Sequence, residues 1–214
     1  MNVHVAGLHF PVTALGPGAR VGVWFQGCSI HCPGCIARDT WDPGAGTCLP
    51  LPEMLERISS FPADEVAGIT ISGGEPFDQA DALLGLVEWL RGSYCGDERD
   101  ILLYSGYPLP VLRREHRAIL ECVDALISEP FDEEDGTGTP LRWRGSPNQV
   151  LTPLTPLGHA RYASELAAPS RGEIQVIVGD GGYWMVGVPR PGDLARLGDL
   201  LKGSGVKLEG VSWQ

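Results

Sequence analysis

Three cysteines, Cys28, Cys32 and Cys35, fall within eight residues of the stretch GCSIHCPGCIARDTW. Thiolates this close together on one loop can hold a single metal centre. A structural zinc site needs four ligands, and His31 is the local candidate for the fourth. A [4Fe–4S] cluster held by three thiolates instead leaves one iron open for chemistry. The spacing alone leaves both kinds of site open, whereas a disulfide is disfavoured in a cytosolic chain.

A second motif, SGGEP, occupies residues 72–76. Gly73 and Gly74 permit a close backbone approach and unusual dihedral angles. Glu75 then offers a carboxylate that can accept hydrogen bonds from an ammonium group. The same residues could instead form a strand-to-helix turn in which the acidic side chain caps the helix. On its own, the motif does not decide between a ligand site and a turn.

The elements that must position these motifs alternate between strands and helices. Short apolar runs predict strands, and apolar residues at helical spacing predict the helices between them. This alternation predicts right-handed βαβ units and an α/β fold with a parallel sheet, open or partly curled into a barrel. The predicted strands are residues 21–25, 68–72, 100–106 and 124–128, and the predicted helices are residues 52–60, 78–91 and 111–123.

The two motifs and a third, YSGY at residues 104–107, each follow a predicted strand. Parallel strands bring their carboxyl ends to the same edge of a sheet, which is where catalytic residues gather in α/β folds. We therefore expect motifs that are far apart in sequence to converge at one edge.

Beyond residue 150 the pattern changes. Residues 151–158, LTPLTPLG, indicate a connector, and residues 173–189 indicate a β-hairpin around an Asp-Gly-Gly turn. A helix over residues 191–203 and a last strand over residues 206–213 follow. We expect a core at residues 1–150 and a C-terminal extension at residues 151–214 that packs on the same domain.

The composition disfavours several classes of function. The chain has 214 residues, a formal net charge of −11 and a sequence pI near 4.8, so its surface repels phosphate backbones and nucleic acid is not an expected partner. No apolar run is long enough to cross a bilayer, so no membrane contact is expected. The N-terminus shows no basic segment followed by an apolar one, which indicates a cytoplasmic protein. Three further cysteines, Cys48, Cys95 and Cys122, are too widely spaced to predict a second cluster.

The combination of C-x3-C-x2-C after the first strand and Gly-Gly-Glu-Pro after the second resembles the radical S-adenosylmethionine (SAM) superfamily. The resemblance implies a partial (β/α)6 barrel and a [4Fe–4S] cluster whose open iron is chelated by the amino and carboxylate groups of SAM. It also implies that an electron from flavodoxin or ferredoxin cleaves SAM to a 5′-deoxyadenosyl radical, which abstracts hydrogen from a substrate.

Further stretches narrow the resemblance to one branch. They are GPGAR at residues 16–20, CPGC at residues 32–35, Thr40-Trp41, YSGY, LISEPFDE at residues 126–133 and LRWRGSPNQ at residues 141–149. Together they resemble the activating enzymes of glycyl radical enzymes, most closely the branch that serves anaerobic ribonucleotide reductase. The expected reaction is removal of a Cα hydrogen from a glycine of a partner glycyl radical enzyme.

The resemblance assigns roles to individual residues. It implies that Cys28, Cys32 and Cys35 are the cluster ligands and the catalytic residues. Gly73, Gly74 and Glu75 would contact the SAM amino group, Ser105 would lie near the methionyl carboxylate or the ribose, and the backbone of Ile36 would approach the adenine. Arg144, Asn148 and Gln149 match the same branch, with a role in substrate binding, loop order or structure left undetermined.

Two other functions remain open at the level of sequence. One is a radical SAM enzyme that acts directly on a small metabolite or a peptide bound under the C-terminal extension. The other is a zinc-stapled binding module without redox chemistry, which would use the same three cysteines and a fourth ligand.

Overall fold

One sheet forms the centre of the protein. The computed structural model describes residues 1–133, 141–179, 182–190 and 192–205. Its central strands there are β1 (Asn2–Val12), β2 (Arg20–Phe25), β3 (Thr47–Pro50), β4 (Gly68–Gly73), β5 (Asp100–Tyr104), β6 (Ala125–Ser128) and β7 (Val150–Pro153). They lie in the order β3-β1-β2-β4-β5-β6-β7. The inner strands β2, β4, β5 and β6 are parallel, which confirms the predicted α/β class with a parallel-rich sheet.

Two antiparallel strands flank the parallel ones where no strand was predicted. β1 pairs with β2 on one side, and β7 pairs with β6 on the other. The expectation of a connector at residues 151–158 was wrong, because this stretch supplies β7 and the start of a helix. Its prolines are compatible with both, since a strand at the edge tolerates Pro153 and the first helical turn accepts Pro156.

Helices pack on both faces of the sheet. In the part of the chain that the structure describes they are α1 (Leu51–Ser59), α2 (Ala80–Trp89), α3 (Leu109–Glu115), α4 (Arg117–Cys122), α5 (Pro156–Tyr162) and α6 (Asp193–Gly203). The long helix predicted over residues 111–123 is interrupted at His116, whose φ of −132° and ψ of 37° separate α3 from α4. Within the same residues, no helix has the length and apolar character needed to cross a bilayer.

The main apolar core lies between the sheet and α1, α2, α3 and α4. Alternate residues of β2, Val21, Val23 and Phe25, are fully buried there. On α2, Leu83 and Leu86 are also fully buried, as the helical spacing of its apolar residues predicted. Burial of this face anchors the four parallel strands and so fixes the direction of the loops that leave their carboxyl ends.

The opposite face of the sheet is covered in part by the predicted C-terminal hairpin. This hairpin consists of β8 (Ile174–Gly179) and β9 (Gly182–Gly187). Trp184 packs against Trp24 of β2 with 4.3 Å between ring centroids. Gly7 of β1 makes room for it, since a Cβ there would lie 2.5 Å from the Trp184 ring. The strand predicted at residues 206–213 lies outside the described residues.

A buried ionic network joins the strands at their amino ends. Arg20 of β2 and Asp100 of β5 form a salt bridge at 2.8 Å with both side chains fully buried. Arg20 also donates to Thr70 Oγ1 at 2.7 Å, and the Tyr162 hydroxyl donates to Asp100. Burial raises the pKa of the Tyr162 phenol well above its usual range, so it stays a donor. Arg20 is the arginine of the GPGAR stretch. Its position at the amino ends of the strands indicates that it stabilises the fold.

Candidate functional site

The cysteine loop leaves the carboxyl end of β2 and is held at its base by backbone hydrogen bonds. The Gly27 N–H donates to the Thr40 carbonyl at 2.7 Å, and the Cys28 N–H donates to the Trp41 carbonyl at 3.1 Å. Gly34 has a φ of +73°, a conformation that glycine adopts without strain. The CPGC segment therefore turns tightly over the edge of the sheet.

The three thiols of this loop are free and partly exposed. Backbone N–H groups of Ile30 and His31 hydrogen-bond the Cys28 sulfur. Burial raises the pKa of the Cys28 thiol, and the nearby charges of Glu75 and Asp78 act in the same direction. Such N–H···S contacts are the kind that stabilise thiolate ligands of iron–sulfur clusters.

The thiols share a loop without being arranged around one point. Within the described residues, no three His, Cys, Asp or Glu side chains are placed so as to hold a metal ion. Burial is the larger cause of the raised pKa of the Cys32 thiol. The charges of Cys28 and Cys35 also raise this pKa, so the three sulfurs are close to one another. A shared metal centre therefore requires the sulfurs to turn toward one another on a loop whose ends are already fixed.

The SGGEP segment lies directly beside the base of this loop. The Gly74 N–H donates to the Phe25 carbonyl at 2.9 Å, and the Glu75 N–H donates to the Gly27 carbonyl at 2.8 Å. A Cβ on Gly74 would lie 2.0 Å from the Gly27 oxygen, and one on Gly73 would lie 2.3 Å from the Phe25 oxygen. Both positions exclude any larger side chain, as expected for glycines that allow a close backbone approach.

The Glu75 carboxyl is buried, with an exposed fraction of 1%. One oxygen accepts from the Phe77 N–H and the Ser105 hydroxyl, each at 3.0 Å, and the other accepts from the Gly106 N–H at 2.8 Å. Burial raises its pKa from 4.5 to about 7, although these three hydrogen bonds oppose the shift. The contact with Phe77 also caps the short 3-10 helix Pro76–Gln79, so the turn that was the alternative interpretation is present as well.

Ser105 contacts the Glu75 carboxyl, whereas Ile36 lies on the cysteine loop. Ser105 follows β5 and is buried against Glu75, and its backbone N–H donates to the Ile127 carbonyl of β6 at 2.9 Å. Ile36 lies on the cysteine loop with 39% of its surface exposed. The structure thus brings Ser105 and the SGGEP segment together beneath the cysteine loop, while Ile36 lies at its exposed side.

The segment that follows β6 completes the same edge of the sheet. Asn148 donates to the Pro130 carbonyl at 2.8 Å, and Gln149 donates to the Glu129 carbonyl at 3.1 Å. The Phe131 N–H in turn hydrogen-bonds the sulfur of Cys32. Asn148 and Gln149 therefore order a segment that touches the cysteine loop.

Arg144 has a different structural role. It is buried and donates to the backbone carbonyls of Glu165 at 3.2 Å and Leu166 at 2.8 Å. These contacts tie the loop after residue 140 to the start of the C-terminal segment. All three residues whose role the sequence left undetermined thus make hydrogen bonds within the protein.

Asp78 was missed by the sequence analysis. Its carboxylate accepts hydrogen bonds from the backbone N–H and the hydroxyl of Ser29, the residue after Cys28. The one available signal was its position three residues after Glu75, in a segment already expected at this edge. Nothing in the local pattern indicated which residue it would contact.

Glu75 should make the stability of the cluster-free protein depend on pH. The Glu75 carboxyl has a pKa of about 7 in the folded protein, above the ordinary 4.5. The protonated carboxyl therefore stabilises the folded protein. This contribution is fully present below the unfolded pKa and is lost as the pH rises through 7. Between about pH 5.5 and about pH 8 the loss amounts to about 2 kcal/mol. The variant Glu75→Gln cannot ionise, so it should gain about this amount relative to the unmodified protein over the same interval.

Denaturant titrations at the two pH values measure this difference. Glu56→Gln is a suitable control, because Glu56 is exposed on α1 and remote from the site. Equal pH dependence for Glu75→Gln and the unmodified protein would contradict a raised pKa at Glu75.

Comparisons with known proteins give the family of this chain. The family model described as a 4Fe-4S single cluster domain matches residues 14–152. The anaerobic ribonucleoside-triphosphate reductase-activating protein of Vibrio cholerae is 34% identical over 161 residues, which cover 72% of this chain and 99% of that protein. The proteins of the same name from Escherichia coli K12 and phage T4 are each 31% identical, over 158 and 138 residues, covering 71% and 64% of this chain and 97% and 85% of those proteins. The chain therefore belongs to the family of anaerobic ribonucleoside-triphosphate reductase-activating proteins.

Proposed function

We propose that this protein is a radical SAM activating enzyme that generates a glycyl radical on a partner reductase. The observation that carries the proposal is the buried Glu75 carboxyl directly beneath a loop with three free thiols, at the carboxyl edge of a parallel sheet. The relatives are named for activating an anaerobic ribonucleoside-triphosphate reductase, which supports an enzyme of that kind as the partner.

Cys28, Cys32 and Cys35 are the proposed ligands of a [4Fe–4S] cluster. Their chemistry suits such a group, because all three are free thiols on one loop and backbone N–H groups already point at two of the sulfurs. When bound, the cluster would pass one electron to SAM, and this chemistry would supply the 5′-deoxyadenosyl radical needed to remove hydrogen from the partner's glycine. An external donor such as flavodoxin or ferredoxin would provide the electron.

Glu75 is the proposed partner of the SAM amino group. Its three hydrogen-bond donors are neutral, and Glu75 takes part in none of the ion pairs found in the described residues. A buried carboxylate is stabilised when a cation reaches it, so an ammonium group would complete its surroundings and lower its pKa. Gly73 and Gly74 would keep the backbone close enough for the same ligand.

Ser105 and Ile36 are the proposed outer contacts of SAM. Ser105 already donates to Glu75, so it orients the carboxylate and lies within reach of a ligand bound there. Ile36 is next to Cys35 and exposed, which suits a backbone contact with the adenine. All of the proposed contacts lie within residues 14–152, the part of the chain that the family model matches.

The parallel strands and their helices are the proposed counterpart of a partial (β/α)6 radical SAM barrel. We assign residues 1–150 to this core and residues 151–214 to an extension on the same domain. The end of the family match at residue 152 supports the boundary. A cytoplasmic location is proposed with it, since a reduced environment keeps the thiols available as ligands.

An anaerobic activation assay tests the function. The reconstituted protein, SAM, dithionite and a glycyl radical ribonucleotide reductase should together produce 5′-deoxyadenosine and a glycyl radical signal in electron paramagnetic resonance. Omitting SAM should remove both products. Formation of 5′-deoxyadenosine without a glycyl radical on the reductase would refute the activase function while leaving SAM cleavage in place.

A further inference from the structure

We propose that Asp78 is a positioning residue that clamps the cysteine loop and places a negative charge beside the cluster. The proposal rests on the proposed function, because it takes Cys28 as a cluster ligand. Among the described residues, Asp78 has no hydrogen bond to any of the three thiols. It acts instead through Ser29, the residue after Cys28.

The clamp joins loops from three different strands. Asp78 follows β4 and accepts two hydrogen bonds from Ser29 of the cysteine loop, one from the backbone N–H at 2.7 Å and one from the hydroxyl at 2.8 Å. Tyr107, which follows β5, directs its hydroxyl to the same carboxylate at 3.2 Å and lies 3.0 Å from the Ser29 hydroxyl oxygen. One carboxylate therefore receives three hydrogen bonds, and bonds to a charged acceptor are the stronger kind.

The hydrogen bonds to Asp78 hold a part of the cysteine loop that lies beyond the backbone bonds at its base. The backbone bonds of Gly27 and Cys28 anchor the loop where it leaves the sheet, but His31 further along has a φ of +52°. A non-glycine residue in this region costs about 1 kcal/mol or more and persists when its surroundings hold it in place. Fixing Ser29 restricts the turn from Cys28 to Cys32, and so restricts where the first thiol can point.

Asp78 differs from Glu75 in its surroundings and therefore in its role. Glu75 is buried and faces inward, where the proposed ligand ammonium would neutralise it. Asp78 is exposed, and its hydrogen-bond donors in the described residues are the neutral groups of Ser29 and Tyr107. Its charge consequently remains beside Cys28, where it makes the addition of an electron to a cluster harder and lowers the reduction potential.

Two substitutions separate the clamp from the charge. Asp78→Asn removes the charge but keeps an acceptor for the Ser29 N–H, whereas Asp78→Ala removes both. We expect both variants to raise the reduction potential of the cluster. Asp78→Ala alone should also lose iron to a chelator about tenfold faster than the unmodified protein, a magnitude typical of lost outer-shell contacts. Asp81→Asn is the matched control, because it removes the same charge from an exposed position on α2.

The cluster-free protein provides an independent readout. Hydrogen exchange of the Ser29 amide should be faster in Asp78→Ala than in Asp81→Asn, since only the first loses the acceptor. Equal exchange of the Ser29 amide in Asp78→Ala and Asp81→Asn would overturn the proposal. So would equal reduction potentials and equal rates of iron loss in these two variants. If the unmodified protein takes up no cluster, the proposed function fails, and the exchange comparison still decides whether Asp78 holds the loop.

Discussion

Replacement of Cys28, Cys32 or Cys35 by alanine should abolish formation of 5′-deoxyadenosine from SAM and dithionite. The three thiols are proposed to hold one cluster, so losing any one of them leaves too few ligands on the loop to retain it. No other cysteine can substitute easily, because Cys95 is buried, Cys122 ends α4 just before the amino end of β6, and Cys48 lies on the outermost strand, β3. Each variant should also contain little iron after anaerobic reconstitution.

Cys48→Ala is the matched control for this experiment. Cys48 is an exposed free thiol on β3, so its removal changes the cysteine count and leaves the sequence of the cysteine loop intact. It should retain full iron content and full SAM cleavage. Undiminished SAM cleavage in all three loop variants would overturn the ligand assignment, and a colourless protein with stoichiometric zinc would favour a structural metal site instead.

The arrangement of the site followed from local patterns and one rule of sheet geometry. The strands that became β2, β4, β5 and β6 were recognisable as short apolar runs, and the motifs after them meet because parallel strands end at the same edge. The close backbone approach expected at the two glycines of SGGEP is present, since a Cβ on either one would lie within 3 Å of neighbouring backbone atoms. From the sequence, a capping role and a ligand-binding role for Glu75 were alternatives. In the structure Glu75 caps a helix, and this contact does not prevent it from binding a ligand.

The features that were missed depend on contacts between distant residues. β1 has alternating buried residues at Val3 and Val5, but Gly7 and Pro11 interrupt the pattern. Asp78 is 49 residues away from Ser29, and Asp100 is 80 residues away from Arg20. No local periodicity encodes such pairings, because they depend on which strands become neighbours in the sheet.

The amino ends of the strands carry residues that stabilise the fold, and the carboxyl ends carry the loops of the proposed site. The amino ends carry the buried pair of Arg20 and Asp100, and the carboxyl ends carry loops with left-handed backbone at His31 and Glu129. Five residues of extended β2 separate Arg20 from the cysteine loop, a distance of about 17 Å. Rigid strands joined at one end can support strained loops at the other.

Replacing Arg20 by methionine should therefore lower the free energy of unfolding by about 3–5 kcal/mol, because it leaves Asp100 buried without its main partner. Arg20 also donates to the Ile69 carbonyl at 2.6 Å and to Thr70 Oγ1, and both of these buried hydrogen bonds would be lost in the same variant. Denaturant titration of the cluster-free protein measures the loss. Arg57→Ala is the control, since its ion pair with Glu53 is about half exposed and should contribute about 0.5 kcal/mol or less.

A double-mutant cycle shows whether the loss belongs to the pair or to Arg20 alone. In Arg20→Met/Asp100→Asn neither partner is charged, so the penalty of an unpaired buried carboxylate is absent. The double variant should then be less destabilised than the sum of the two single variants, by about 1 kcal/mol or more. Asp100 keeps a contact with Arg161 at 2.9 Å, and this partly exposed partner limits the size of the coupling. Additive effects, or a loss in Arg20→Met no larger than that in Arg57→Ala, would show that the pair does not anchor the amino ends of the strands.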